Sequence, residues 1–193
     1  MKNAILISLL CLGFAFSAQA QQETLFNSSP LGLTGIFGGV NHNFSYFDDD
    51  WGQLRGGYGG LEFGRTFQIG WAGYRLREDI PIEGFNSSYR MRYNGLMLGI
   101  TPNSKKLVHP KFGFVTGGGR LIIDDNDSNR DNIYVVQPSA GIEINVVKWF
   151  HLGLEGGYRL VTGVDAAGLD NSAVSTPFAQ IDLRFGLFWG RRR

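Results

Sequence analysis

The sequence predicts an all-β protein, an eight-stranded antiparallel up-and-down transmembrane β-barrel. Three observations carry that expectation: a strand with one wholly apolar face, an N-terminal export signal, and abundant glycine and aromatics with no long apolar helix. In Phe178–Trp189, the residues Ala179, Ile181, Leu183, Phe185, Leu187 and Trp189 alternate with Gln180, Asp182, Arg184 and Gly186. Successive strand side chains point to opposite faces, so one face is apolar and the other carries both signs of charge. In a soluble sheet the apolar face turns inward. In a membrane barrel it turns outward to lipid, and the charged face lines a polar interior.

The beginning of the chain favours the second arrangement. Lys2 supplies a positive start, Ala4 to Phe16 is apolar, and Ala18-Gln19-Ala20 offers a small-residue cleavage site before Gln21. Residues 1–20 therefore read as a secretory signal peptide, and 21–193 as the barrel domain. Cys11 lies within the signal, and Leu10 before it does not suit a lipoprotein site. The mature chain would then hold no cysteine, so the fold must close through packing or lipid rather than disulfides.

Composition agrees. Glycine takes 28 of 193 positions, about twice its usual share, and aromatics make up 13 %. No apolar run after the signal approaches the ~20 residues a spanning helix needs. The net charge of +1 offers nothing to nucleic acid. Mean hydropathy is an ordinary -0.09, as in a barrel where only alternate residues face lipid.

Period-2 alternation and turn signals mark the strands in order. The first five, Gly35–Tyr46, Leu54–Gly64, Phe67–Arg77, Tyr89–Thr101 and Lys111–Ile123, carry glycine on both faces. Asn132–Val146 sets Tyr134, Val136, Ala140, Ile142 and Ile144 against Gln137, Ser139, Glu143 and Asn145. Pro138 within it cannot donate to a ladder, so a bulge or local break is expected there. Phe150–Gly163 sets Leu152, Leu154, Tyr158 and Leu160 against Glu155 and Arg159, and Phe178–Trp189 completes the set. After the second and the sixth strand only a tight turn fits, whereas the links around Asp48, Glu83, Asp127 and Asp170 read as longer. Acids gather in those longer links, and Arg65, Lys105, Lys106, Lys111, Lys148 and Arg191–Arg193 at the opposite end. Short periplasmic turns opposite long outer loops are the usual plan of such barrels.

An eight-strand barrel has an interior just wide enough to be filled by side chains. Glu62, Glu143, Glu155, Arg159, Asp182 and Arg184 are the charges expected there, paired because an isolated buried charge costs several kcal/mol. In particular, Arg159 and Glu155 are expected to face Asp182 and Arg184. Trp51, Trp71, Trp149 and Trp189, with Tyr46, Tyr74, Tyr93 and Phe150, suit interfacial girdles.

Other motifs point to less. His42, His109 and His151 fall on separate segments and are not expected to converge as a catalytic or metal site would require. Asp125, Asp127 and Asp131 resemble the start of a calcium loop, but Arg130 replaces its turn glycine and Val136 its closing Glu. Those three acids suggest at most a loose cation contact. Gly117-Gly118-Gly119 lacks the Lys-Ser/Thr of a phosphate loop. No cofactor motif stands out.

Gly56-Gly57-Tyr58-Gly59-Gly60, Gly70-Trp71-Ala72-Gly73-Tyr74-Arg75-Leu76 and Leu107-Val108-His109-Pro110 form one set of signatures. Gln137-Pro138-Ser139-Ala140-Gly141-Ile142-Glu143-Ile144-Asn145 and Tyr158-Arg159-Leu160-Val161-Thr162-Gly163-Val164 form another. Together they resemble a family of small, uncharacterised outer-membrane β-barrel proteins of Bacteroidota. The resemblance spans most of the mature chain and implies an eight-stranded barrel, with no established activity and no catalytic residues. One departure concerns assembly: many such barrels end on an aromatic, whereas Phe188-Trp189 is followed here by Gly190 and three arginines.

The expectation is a monomer in the cell outer membrane, with membrane lipid and the barrel assembly machinery as partners and a structural or surface-binding role. Two rivals stand beside it: a loop-side enzyme acting on lipid or peptide, hinted at by His42 near Asp48–Asp50, and a soluble lipocalin-like ligand carrier.

Overall fold

The computed structural model describes residues 32–47, 50–82, 87–123, 130–165 and 169–189. The signal segment and the C-terminal arginines lie outside them. Eight long strands run through the chain: β1 Leu33–Phe47, β2 Asp50–Phe63, β3 Phe67–Leu76, β5 Ser88–Ile100, β6 Val108–Ile123, β7 Arg130–Val147, β8 Phe150–Thr162 and β9 Thr176–Phe188. A two-residue strand, β4 (Ile80–Pro81), pairs with Tyr89 and Ser88, and one helical turn, α1 (Asn171–Val174), precedes β9. Every long strand pairs antiparallel with its neighbours in sequence, and β1–β9 together with β3–β5 pairing closes the ring. The result is a closed eight-stranded antiparallel barrel with no free edge.

Alternation sets the two faces. On β9, Ile181, Phe185 and Leu187 are 42, 44 and 70 % exposed, while Asp182 and Arg184 are 2 % exposed. The apolar face thus points outward on the strand where the question was sharpest. Ile36, Val40, Leu61, Ile69, Leu98, Phe112, Ile142 and Leu154 extend this outward apolar surface around the ring.

Two local expectations change and one holds in part. β1 runs on to Phe47 and β2 begins at Asp50, and these two pair, so only residues 48–49 part the strands where a long link was expected. Pro138 gives the local break without a bulge: pairing with β8 lapses at Gln137 and Pro138 and resumes in the same register, Val136 facing Leu160 and Ser139 facing Gly157, while the register shift falls at Asn145/Val147. β6 starts at Val108, three residues before the expected Lys111, which carries Lys111 inward from the turn.

The turns have clear local causes. Between β2 and β3, Gly64 and Arg65 both have positive φ (58° and 59°), and the Thr66 amide donates to Phe63 O at 3.1 Å. That twist matches the right-handed twist of the flanking strands. Before α1, the Asp170 carboxylate caps the turn by accepting from the Ala173 amide at 2.8 Å. Hydrogen bonds from the Ser172 hydroxyl and that amide hold its carboxyl below the ordinary range.

Inward residues change character along the axis. Toward the loop end they are apolar: Phe47, Leu54, Leu76, Met91, Leu121, Val135 and Val161 are fully buried. Ile80, Ile82, Val164 and Val174 from the links and α1 close over them as one cluster. Gly163 lets the chain turn over this cap, with φ of +92° and Asn132 O 2.5 Å from where a Cβ would stand. Gly163→Ala should therefore destabilise the barrel by about 1–2 kcal/mol, the cost of forcing an L residue into that region. Urea unfolding in detergent measures it, and an unchanged midpoint would contradict the argument.

Candidate functional site

Below the apolar cap the interior is a stack of polar layers. Nearest the short turns, β9 aims Arg184 at two carboxylates, Glu62 of β2 (Nη1 to Oε2, 3.0 Å) and Glu143 of β7 (Nη2 to Oε1, 2.6 Å). The same Glu143 oxygen lies 3.1 Å from His109 Nε2 and 3.7 Å from His151 Nδ1. Two of the three histidines therefore converge on Glu143, contrary to the sequence expectation. Positions 109, 143 and 151 share the inward parity of β6, β7 and β8, and strand pairing brings them together. His42 does not join them: it sits on the outward side of β1, 3.1 Å from Gln53 Nε2.

One step further in, Lys111 is the hub. Its ammonium contacts Asp182, lies 2.8 Å from Glu155 Oε1 and 3.9 Å from Glu143 Oε2. Glu155 also accepts the Ser139 hydroxyl at 2.6 Å. Gly153 makes room for this cluster, since a Cβ there would come 2.9 Å from Asp182 Cβ and 3.6 Å from Lys111 Nζ. Lys111, assigned from sequence to the turn end, is 6 % exposed and belongs to the interior. The missed signal was its parity, shared with Gly113 and Val115 and opposite to Phe112 and Phe114.

Arg159 is the third layer and carries no carboxylate partner among the described residues. Its guanidinium donates to Asn43 Oδ1 (2.6 Å), Tyr93 OH (3.1 Å), Ser45 Oγ (3.2 Å) and Gln137 Oε1 (3.3 Å). Phe47, Phe178 and Tyr93 rings surround it at 5.6, 5.6 and 5.8 Å. Neutral oxygens and aromatic faces thus replace the expected pairing of Arg159 with Asp182, and Glu155, expected to face Arg184, meets Lys111 instead. Asn43, Ser45, Tyr93 and Gln137 had no place in the sequence-derived set, because amide and hydroxyl groups give no charge signal.

At the short-turn mouth the interior opens into a recess of about 790 Å³ flanked by Arg65, Lys105, Lys148, Phe188 and Trp189. The aromatics divide. Trp51, Trp71, Trp149, Trp189 and Tyr46 are exposed on the outer surface, but Tyr74 and Tyr93 face inward and stack at 5.0 Å. Of the three loop acids, Asp125 and Asp127 lie outside the described residues. Asp131 accepts the Asp165 amide at 2.9 Å, a tie between the start of β7 and the link after β8. Among the described residues no cluster of three metal-ligating groups forms.

Geometry of this kind, a closed barrel with apolar outer wall and polar filled interior, defines a class: the fold of small outer-membrane barrels. Solved structures agree. Neisserial surface protein A is similar over 81 % of this chain and 97 % of its own, at 14 % identity and a TM-score of 0.55. The N-terminal β-barrel domain of Pseudomonas aeruginosa OprF (80 % and 98 %, 11 % identity) and the outer-membrane protein OprG from the same organism (80 % and 96 %, 11 % identity) each score 0.52. At such identities the likeness concerns the fold alone. No protein-family model matches the sequence, and no curated protein does.

Proposed function

We infer that the chain is a closed, non-conducting barrel of the cell outer membrane, with a structural or surface-binding role and no catalytic one. The observation that carries this reading is the apolar cap over Arg159, in which Phe47, Leu121, Val135 and Val161 are buried in one packed cluster between the lumen charges and the loop end. The charge network of Glu62, Glu143, Glu155, Asp182, Arg184 and Lys111 acts as a plug holding the strands in register. The outward apolar residues support a lipid setting, since a soluble monomer rarely exposes so much contiguous apolar surface. A lipocalin-like carrier would need an apolar hollow, and here amide and charged side chains fill the middle. The hint of an enzyme weakens because His42 turns away from the interior.

The finer assignments follow as part of the same reading. Residues 1–20 are removed on export, the assembly machinery inserts the chain as a monomer, and its glycine signatures group it with the Bacteroidota barrels. Planar-bilayer recording of the reconstituted protein tests the central claim, with no steady conductance as the expected result. Cell fractionation tests the location: the chain starting at Gln21 should appear in the outer membrane. Steady single-channel steps would overturn the plug, and recovery as a soluble periplasmic monomer would overturn the membrane reading.

A further inference from the structure

The loop end is not simply acidic. Arg55 of β2 faces Arg75 of β3, Arg75 faces Arg92 of β5, and Arg92 faces Arg120 of β6, each pair directly opposite in register. All four are exposed on the outer wall. Like charges directly opposite on a sheet repel, so such a row needs anions beside it. Among the described residues none stands against it. Four described acids of this end are engaged elsewhere: Asp79 with Arg90 (2.6 Å), Glu78 with Arg77 (3.7 Å), and Asp131 and Asp170 with backbone amides; a fifth, Asp165, follows β8, away from the row.

Below the row the wall is bare. A Cβ added at Gly73 or Gly118 would meet nothing nearer than 3.7 or 3.9 Å. These glycines, Asn94 and the arginines line a shallow depression of about 610 Å³. Beyond it toward the short turns come Trp71 and Ile69 on β3, and Leu96 and Leu98 on β5, all exposed. Arg75 lies four positions from Trp71, and Arg92 four from Leu96, about 13 Å of strand. The order along each strand is cation, gap, apolar wall. Around the other flank, His42 of β1 faces Arg55 at the edge of the row, and the outward residues nearer the loops on β8, β9 and β1 include Tyr158, Leu160, Pro177, Phe44 and Tyr46, so the arginines are one-sided.

We propose that Arg55, Arg75, Arg92 and Arg120 form a binding site for the phosphorylated headgroup of a lipid in the leaflet at the loop end. Guanidinium groups match phosphate oxygens in two-point hydrogen bonds. The glycine depression takes the headgroup linkage, and the apolar wall takes the chains. One molecule with two phosphates satisfies adjacent arginine pairs, which relieves the repulsion that the register imposes.

This rests on the membrane reading above, but its test is read in detergent, so its failure leaves the fractionation and conductance results standing. Native mass spectrometry of the full mature chain counts bound diphosphorylated lipid A, with its dephosphorylated form and inorganic phosphate as comparison probes. The expected result is binding at least about tenfold tighter for the phosphorylated lipid, lost in R75Q/R92Q, as charge-assisted hydrogen bonds of ordinary strength require. R55Q/R120Q, which leaves the central pair in place, should weaken binding by a smaller factor, and Arg77→Gln, outside the row, should leave it unchanged. Circular dichroism of each variant establishes that it is folded. Equal binding of the phosphorylated and dephosphorylated lipids, or wild-type binding by folded R75Q/R92Q, would overturn the site. Displacement of the lipid by equimolar inorganic phosphate would overturn a lipid as the occupant.

Discussion

Lys111→Met is expected to lower the unfolding free energy by about 3–5 kcal/mol, the penalty for stripping a buried charge of its partner. The ammonium sits among Asp182, Glu155 and Glu143, so its loss leaves carboxylates facing one another with only neutral donors such as Ser139 beside Glu155. Methionine keeps most of the volume, which isolates the charge from the packing. Adding Asp182→Asn should recover part of the loss, because the pair then disappears together and the double cost falls below the sum of the singles. Urea titration in detergent, followed by tryptophan fluorescence, gives all three values. Strict additivity would mean that Lys111 and Asp182 do not act as a unit.

Leu183→Arg should cost about 2–4 kcal/mol in a bilayer, the penalty for a cation at the midplane of a barrel's lipid face. Leu183 faces outward near the middle of β9, between Val40 and Leu152 on the neighbouring strands. Leu187→Arg, one turn of the pleat from the strand end and 70 % exposed, should cost only about 0–1 kcal/mol, as charges near the interface do. The depth dependence is the point of the comparison. Reversible unfolding from lipid vesicles resolves the two, and equal penalties at both positions would place the hydrocarbon band elsewhere or remove it.

The strand plan was legible because its signal is local. Alternation in Tyr134–Ile144, Leu152–Leu160 and Ala179–Leu187 needs no knowledge of partners, and the inward placement of Glu62, Glu143, Glu155, Arg159, Asp182 and Arg184 follows from parity alone. Pro138 was legible as a local break, because its missing donor interrupts the ladder toward β8, while the ladder on its other side, with Phe114 facing Pro138, holds the register. The β1–β2 link misled because the Asp-rich stretch looked like loop while the flanking residues still paired.

Partner choice was not legible, since it depends on which positions the closed ring brings to one height. Lys111 and Asp182 lie 71 residues apart, and Arg159 and Asn43 lie 116 apart. No periodicity reaches that far. Sequence alone determined which side chains turn inward, because the pleat reverses at every residue whatever the neighbours do. The tertiary structure decided that Lys111 rather than Arg159 serves the acids, that apolar residues cap the loop end, and that four arginines stand side by side outside. Each of those depends on strand register, and register is a property of two strands at once: the length of each turn and the closure of the ring set it, and no single strand carries it.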